Sequence, residues 1–500
     1  MTNAPPFSSS RSRTRLSSQV LFGLAALLTM LPVFSVRYLP LVDLAGHLGR
    51  IQILNQYASD PALQARYEVI HRPLPNLALD ALLLFFNYFL SMEDAARAFV
   101  LMEMLVFIAG CAALSYSFHG RLVPLASVAL FLQYNSMFFY GFVAFQLGVG
   151  LFLLTLALWY RWREQWTPGR LLVLCGMSIL TYFGHLAGYM FLGLSISVLL
   201  VTGALRLRRI PWRVIAGSAV MTVPMGLYLS LGAGRGDTQA VMWSTFTGKL
   251  RHGLVLLIGY DMVVDVSLGL VLVVAGVLVS SVCKPRLHAT AGILAAAFWL
   301  GFLAAPSVYM NGSDADARFV LPAGVFTLLA VQFSRRPRMA QAAFVLAGAV
   351  CIIRLGSIAW AWRQQNSLLL DSQIALFENI PRKARVYPIF EGSSDARENK
   401  FERPLYHFIS WATVHRDAIV PTNFTIRGQH PVVERAGFWF REVPFDETAA
   451  AFEWGEVFQN FDIIWFYGTN SGVLEKLESR CRIIALSGKA RLYQVLPPTP

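Results

Sequence analysis

Charge is what this sequence has least of. Charged residues fill 14% of its 500 positions, against roughly 25% in soluble domains. Hydrophobic residues fill 56%, for a mean hydropathy of +0.52. That composition excludes an ordinary soluble enzyme and points to a polytopic membrane protein. Cysteine is scarce as well. Cys111, Cys175, Cys283, Cys351 and Cys481 show no metal-ligand spacing, and the first four lie in or beside apolar runs, so no disulfide framework is expected. Internal repeats are absent. The net charge of +13 does not imply nucleic acid, because much of the Arg sits in short clusters between apolar runs, where the positive-inside rule puts it.

Apolar runs of about 18 residues or more recur down most of the chain, each long enough to cross roughly 30 Å of hydrocarbon. Residues 1–17, rich in Ser, Pro and Arg, read as a disordered cytoplasmic tail. Leu21–Val36 lacks a small-residue cleavage site and reads as an uncleaved anchor. About eleven spans are expected within 18–362: Ser18–Arg37, Ala95–Phe118, Leu122–Phe139, Phe142–Tyr160, Leu171–Phe183, Leu186–Leu205, Val214–Leu231, Val263–Cys283, Ala289–Pro306, Phe319–Phe333 and Met339–Ala361. The first outer loop, 38–94, carries apolar residues at helical spacing (Leu44, Leu48, Ile51, Leu54), which suits an amphipathic helix on the membrane surface. Pro73–Leu90 holds Asp80 in mid-segment and reads as a surface or re-entrant helix, which keeps the later Arg clusters inside.

After Trp362 the composition turns soluble. Strand-like runs (Ala384–Phe390, Phe461–Tyr467, Cys481–Val495) alternate with helix-like ones (Leu370–Asn379, Gly472–Arg480), predicting an extracytoplasmic α/β domain over 363–500. It has no Gly-rich phosphate loop and no nucleophile elbow. It does hold a polar and aromatic cluster, His407, Trp411, His415 and Arg416. The sequons Asn311-Gly-Ser313 and Asn423-Phe-Thr425 read as chance matches.

The chemistry gathers on the outer side. Directly after the first apolar run, Asp43, His47 and Arg50 follow at spacings of four and three, which places them on one face of a helix. Glu68, His71 and Arg72 precede the Pro73–Leu90 segment. His185 lies in a tight turn, Asp237 in the second long loop, and Asp314, Asp316 and Arg318 before the tenth expected span. Ionisable residues at membrane depth mark functional sites by default. A carboxylate here could take the proton of an incoming hydroxyl, while an Arg holds the phosphate of a departing lipid carrier.

The chain resembles the GT-C superfamily of polytopic glycosyltransferases, mannosyl- and arabinosyltransferases among them. Asp43 stands where that family has its acidic residue, in the first outer loop. Pro73–Leu90 followed by Ala95-Ala96-Arg97 is similar to the family's surface helix and its Ala-Arg ending. Arg318-Phe319-Val320-Leu321-Pro322 reads like the family's Arg-aromatic-x-x-Pro element. The resemblance implies a polyprenyl-phosphate sugar donor, a glycan, lipid or protein acceptor, an inverting mechanism, and a bacterial inner (plasma) membrane with the active site outside. It makes Asp43 the base with His47 beside it, assigns Arg318 with Arg50 or Arg72 to the donor phosphate, and lines the pocket with Glu68, His71, His185, Asp237 and Asp316. No cofactor or metal ligand is expected, but this chain lacks the adjacent acidic pair common in the family, which leaves metal dependence open. Two other readings stand: a transporter or flippase for a lipid-linked glycan, which draws on Glu103 and Arg354 within apolar runs, and a scaffold whose C-terminal domain binds envelope partners.

Overall fold

The computed structural model describes residues 9–230, 241–260, 262–309, 312–333, 337–393, 395–438 and 452–497. Most of them are helical. Six helices are long and apolar enough to cross a membrane: Met92–His119, Val143–Trp162, Leu186–Leu207, Trp212–Ser230, Val263–Cys283 and Gln341–Phe377. The other expected spans differ. Ser18–Phe34, Pro168–Gly184, Ala289–Ala304 and Ala317–Ala330 are shorter apolar helices. Leu122–Phe139 is broken into Pro124–Ala129, a 3-10 turn at Leu130–Gln133 and Ser136–Phe139. The break has a local cause: Asn135 accepts from the Phe138 amide at 3.2 Å and so starts a new helix. Leu77–Asn87 has 11 residues, a length of about 16 Å at 1.5 Å per residue, too short to cross.

Two helices form the centre. In Val143–Trp162, 72% of the most apolar stretch is buried, against 17% in Val263–Cys283, which lies at the edge. Val143–Trp162 runs parallel to Met92–His119, and glycines set the spacing: a Cβ on Gly110 would stand 2.8 Å from the Gly150 carbonyl, and one on Gly150 2.7 Å from the Phe107 amide. Of the two charges noted within apolar runs, Arg354 is paired with Asp265 (3.2 Å) and with the Leu257 carbonyl (3.2 Å). Glu103 is fully buried, and neither carboxyl oxygen has a partner among the described residues.

The last helix carries the chain into a four-stranded sheet in the order Val386–Phe390, Ile463–Tyr467, Ala490–Val495, Cys481–Ser487. The first pair is parallel and the others antiparallel. Ile463–Tyr467, buried at every position, has the continuous apolar run of a central strand. The single expected run Cys481–Val495 is a hairpin, turned at Gly488 with φ 57°.

This C-terminal region is bound tightly to the first loop. Tyr67–Val69 pairs antiparallel with Val432–Glu434. Asn366 accepts from the Tyr38 amide at 3.0 Å and donates to its carbonyl at 2.8 Å. The helix Leu44–Tyr57 forms as its periodicity predicts, but its apolar face is covered by protein: Leu44, Leu48 and Ile51 are buried. Gly46 and Gly49 make the approach possible. A Cβ on Gly46 would lie 2.8 Å from the Thr422 carbonyl, and one on Gly49 2.1 Å from Asn423 Oδ1. Asn423 is 1% exposed and donates to Thr413 at 3.0 Å, so this sequon is inaccessible in the folded chain.

Candidate functional site

Asp43 sits at the start of the Leu44–Tyr57 helix without capping it. Its amide donates to the Tyr140 carbonyl at 2.9 Å. The turn that allows this needs Gly141, which has φ 90° and would drive a Cβ to 2.6 Å from the Asp43 amide. Among the described residues the carboxyl has no cation at hydrogen-bond distance. His407 stands beside it, with Nε2 3.6 Å from Oδ1, and 22% of the Asp43 side chain stays open. Burial pushes the carboxyl up to about 8. The charge of Arg318 pulls it back, and Asp314 adds to the rise. His407 is held neutral by burial, at about 3, and its Nδ1 is buried without a partner.

His47 and Arg50 belong to a different network. Arg50, 1% exposed, donates through Nε to Asp80 at 2.7 Å, through Nη1 to the Phe424 carbonyl at 3.1 Å and through Nη2 to His47 Nδ1 at 3.1 Å. It is fully engaged. The His47 ring rests 4.9 Å from that of Phe424, with His430 at 6.2 Å. Burial, with Arg50 next in weight, holds His47 well below its ordinary value. Phe424 itself lies at φ 47°, a conformation that costs a bulky residue on the order of 1–3 kcal/mol. Its ring reaches His407 at 4.8 Å.

Across the site stand His185 and Arg318. Gly148 and Gly188 let two helices cross closely enough to place the His185 turn: a Cβ on Gly148 would meet His185 Cβ at 2.4 Å, and one on Gly188 the Gly148 carbonyl at 2.4 Å. His185 Nδ1 accepts from the Ala187 amide at 3.0 Å. A neutral imidazole that accepts at one nitrogen donates at the other, and burial, followed by the Arg318 charge, keeps His185 neutral, well below its ordinary value. Arg318 Nη1 stands 3.4 Å from His185 Nε2, a contact whose donor and acceptor roles follow the imidazole tautomer. Arg318 packs over Phe142 (5.3 Å) and Phe145 (5.7 Å), gives Nη2 to the Ser313 carbonyl at 3.3 Å, and leaves Nε buried with no partner among the described residues.

The other residues singled out from the sequence lie elsewhere. Asp316, fully buried, accepts from Lys249 at 2.8 Å, His252 at 2.9 Å and the Ala317 amide at 2.8 Å. Glu68 is half-exposed, 3.7 Å from Arg427. His71 and Arg72 are exposed, and their side chains bond nothing among the described residues. Asp237 lies outside the described residues. The structure therefore brings Asp43 within reach of the Arg318 charge and sets Arg318 beside His185. It puts His407, His430 and Phe424 where His47 alone was expected. His407 belonged to a recognisable aromatic cluster, but nothing in the sequence tied it to Asp43. Among the described residues no three His, Cys, Asp or Glu side chains are placed to share a metal ion. Compared with known proteins, the chain matches no family model and no curated protein.

Proposed function

We propose that this chain is a membrane glycosyltransferase of GT-C type, moving a sugar from a polyprenyl-phosphate donor to a glycan, lipid or protein acceptor on the outer face. The observation that carries the reading is Arg318: its charge reaches the Asp43 carboxyl, its Nη1 stands 3.4 Å from His185 Nε2, and its buried Nε has no partner among the described residues. An anionic oxygen beside the guanidinium satisfies that free N–H, and a phosphate supplies one. Asp43, coupled electrostatically to Arg318, is the base. It takes the proton of the acceptor hydroxyl as that oxygen attacks the anomeric carbon. The bond from that carbon to the phosphate oxygen breaks, the electron pair leaves with the phosphate, and Arg318 and His185 stabilise it. Attack opposite the leaving group inverts the anomeric configuration. Neutral His407, 3.6 Å away, borders the Asp43 carboxyl.

The test is transfer from a panel of radiolabelled polyprenyl-phosphate sugars in membranes, comparing wild type with Asp43→Asn at equal expression. Loss in the variant supports the class and the base; equal transfer by both sinks the assignment. One observation favours the transporter reading: the unpartnered, fully buried Glu103. Glycan movement across vesicles that needs Glu103 and survives Asp43→Asn would replace the first reading with that one.

A further inference from the structure

The helix Phe246–Gly253 has two unlike faces. The inner one is bound throughout. Lys249 donates to the carbonyls of Phe302 (2.8 Å) and Ala305 (2.6 Å) and pairs with Asp316 at 2.8 Å. His252 reaches Asp316 at 2.9 Å and Asp314 at 3.4 Å. The strand before it is fixed too, since the Met242 amide donates to the Val308 carbonyl at 3.3 Å. Among the described residues nothing packs on the outer face. Val241, Met242, Trp243, Phe246 and Leu250 expose 53–84% of their surface. Phe246 and Leu250, four apart, share one side of the helix.

We propose that this face is seated in the outer surface of the bilayer, with acyl chains as its occupant. Three observations single out lipid. Lys249 ties the helix to the C-terminal end of Ala289–Ala304, an apolar helix whose last turns expose Leu300 (65%) and Leu303 (61%), so the patch continues a lipid-facing surface. Trp243 at its edge and the exposed Arg251 beside it form the aromatic and basic border of an interfacial helix. Its eight residues, about 12 Å long, are too few to cross and enough to lie flat. The seat matters because the inner face holds Asp316, and Asp316 accepts from the Ala317 amide that opens the turn bearing Arg318. The membrane thereby sets the height of Arg318. The inference goes beyond the reading above and does not require that Arg318 meet a phosphate.

The test uses the full chain in phosphatidylcholine vesicles. An environment-sensitive fluorophore is placed at Phe246→Cys, with Glu478→Cys on the exposed Ser471–Arg480 helix as the comparison and unlabelled wild type as the blank. Lipids brominated near the headgroup should quench the first label several-fold more than the second, and aqueous iodide should do the reverse. Equal iodide quenching of both overturns the proposal. So does a label shielded from both quenchers that transfers energy to a second labelled copy, because a protein partner then covers the face. Adding Leu250→Asp to the Phe246→Cys protein should cut the bromolipid quenching; full retention also overturns it.

Discussion

Two aspartates near Arg318, the part-open Asp43 and the buried Asp316, live in opposite conditions. Asp316 has every oxygen engaged, by Lys249, His252 and the Ala317 amide. Asp43 has a neutral histidine at 3.6 Å and an open edge. A carboxylate whose oxygens are already filled by donors is held in place and has little left to give a substrate. A desolvated carboxyl without a cation is a strong base that is poorly paired in the resting protein. The arginines repeat the contrast. Arg50 is used up by Asp80, Phe424 and His47, whereas Arg318 keeps a buried Nε with no partner.

The contrast breaks first on activity. Asp43→Asn should lower transfer by about 10²–10⁴-fold, the usual worth of a general base, while the protein stays folded; transfer and thermal melting on one preparation check both. Asp316→Ala should do the reverse, destabilising the fold by about 1–3 kcal/mol because the Ala317 amide, His252 and Lys249 lose a buried acceptor. Arg50→Met should cost about 3–5 kcal/mol by stranding Asp80. Arg318→Met should melt close to wild type and lose inhibition by polyprenyl phosphate. If the two arginine variants melted alike, the distinction between them would be gone.

Titration sharpens it next. Between its ordinary value of 3.8 and about 8, Asp43 keeps in the folded chain a proton that the unfolded chain releases. Its contribution to stability is full below that window and is lost as pH rises to about 8, by up to about 1.4 kcal/mol per pH unit. Melting from pH 4 to 8 should therefore slope less in Asp43→Asn, which should be the more stable protein at neutral pH. Transfer needs the ionised form and should rise toward tenfold per unit until it levels near pH 8. The smallest effects belong to Glu68→Ala, His71→Ala and Arg72→Ala. Each should stay within about 0.5 kcal/mol of wild type, as exposed positions usually do, with transfer within about twofold.

Much of the scaffold was legible in the sequence because it rests on local signals. Long apolar runs gave the membrane helices, and short apolar runs rich in β-branched and aromatic residues gave the strands at Val386–Phe390 and Ile463–Tyr467. Lengths were harder. Asn135 and the Gly488 turn divide stretches whose hydropathy is continuous. In the site, the polar residues of the first loop stood out by composition, but which of them meet did not. Arg50 bonds a carbonyl 374 residues away, and the Gly46–Gly49 notch that admits Thr422–Phe424 reads in sequence as two ordinary helix glycines. Asp316 reads in sequence as a pocket residue, because Lys249 and His252, the partners that occupy it, stand far off in the chain.

The short pairing of Tyr67–Val69 with Val432–Glu434 constrains topology. Two strands in one ladder lie on one side of any membrane. Whatever the chain does between them, it must cross an even number of times, so crossings can be gained or lost only in pairs. Reporter tags placed just after the first apolar helix and within the C-terminal sheet must then report the same compartment, and the ladder itself counts the parity of every helix between.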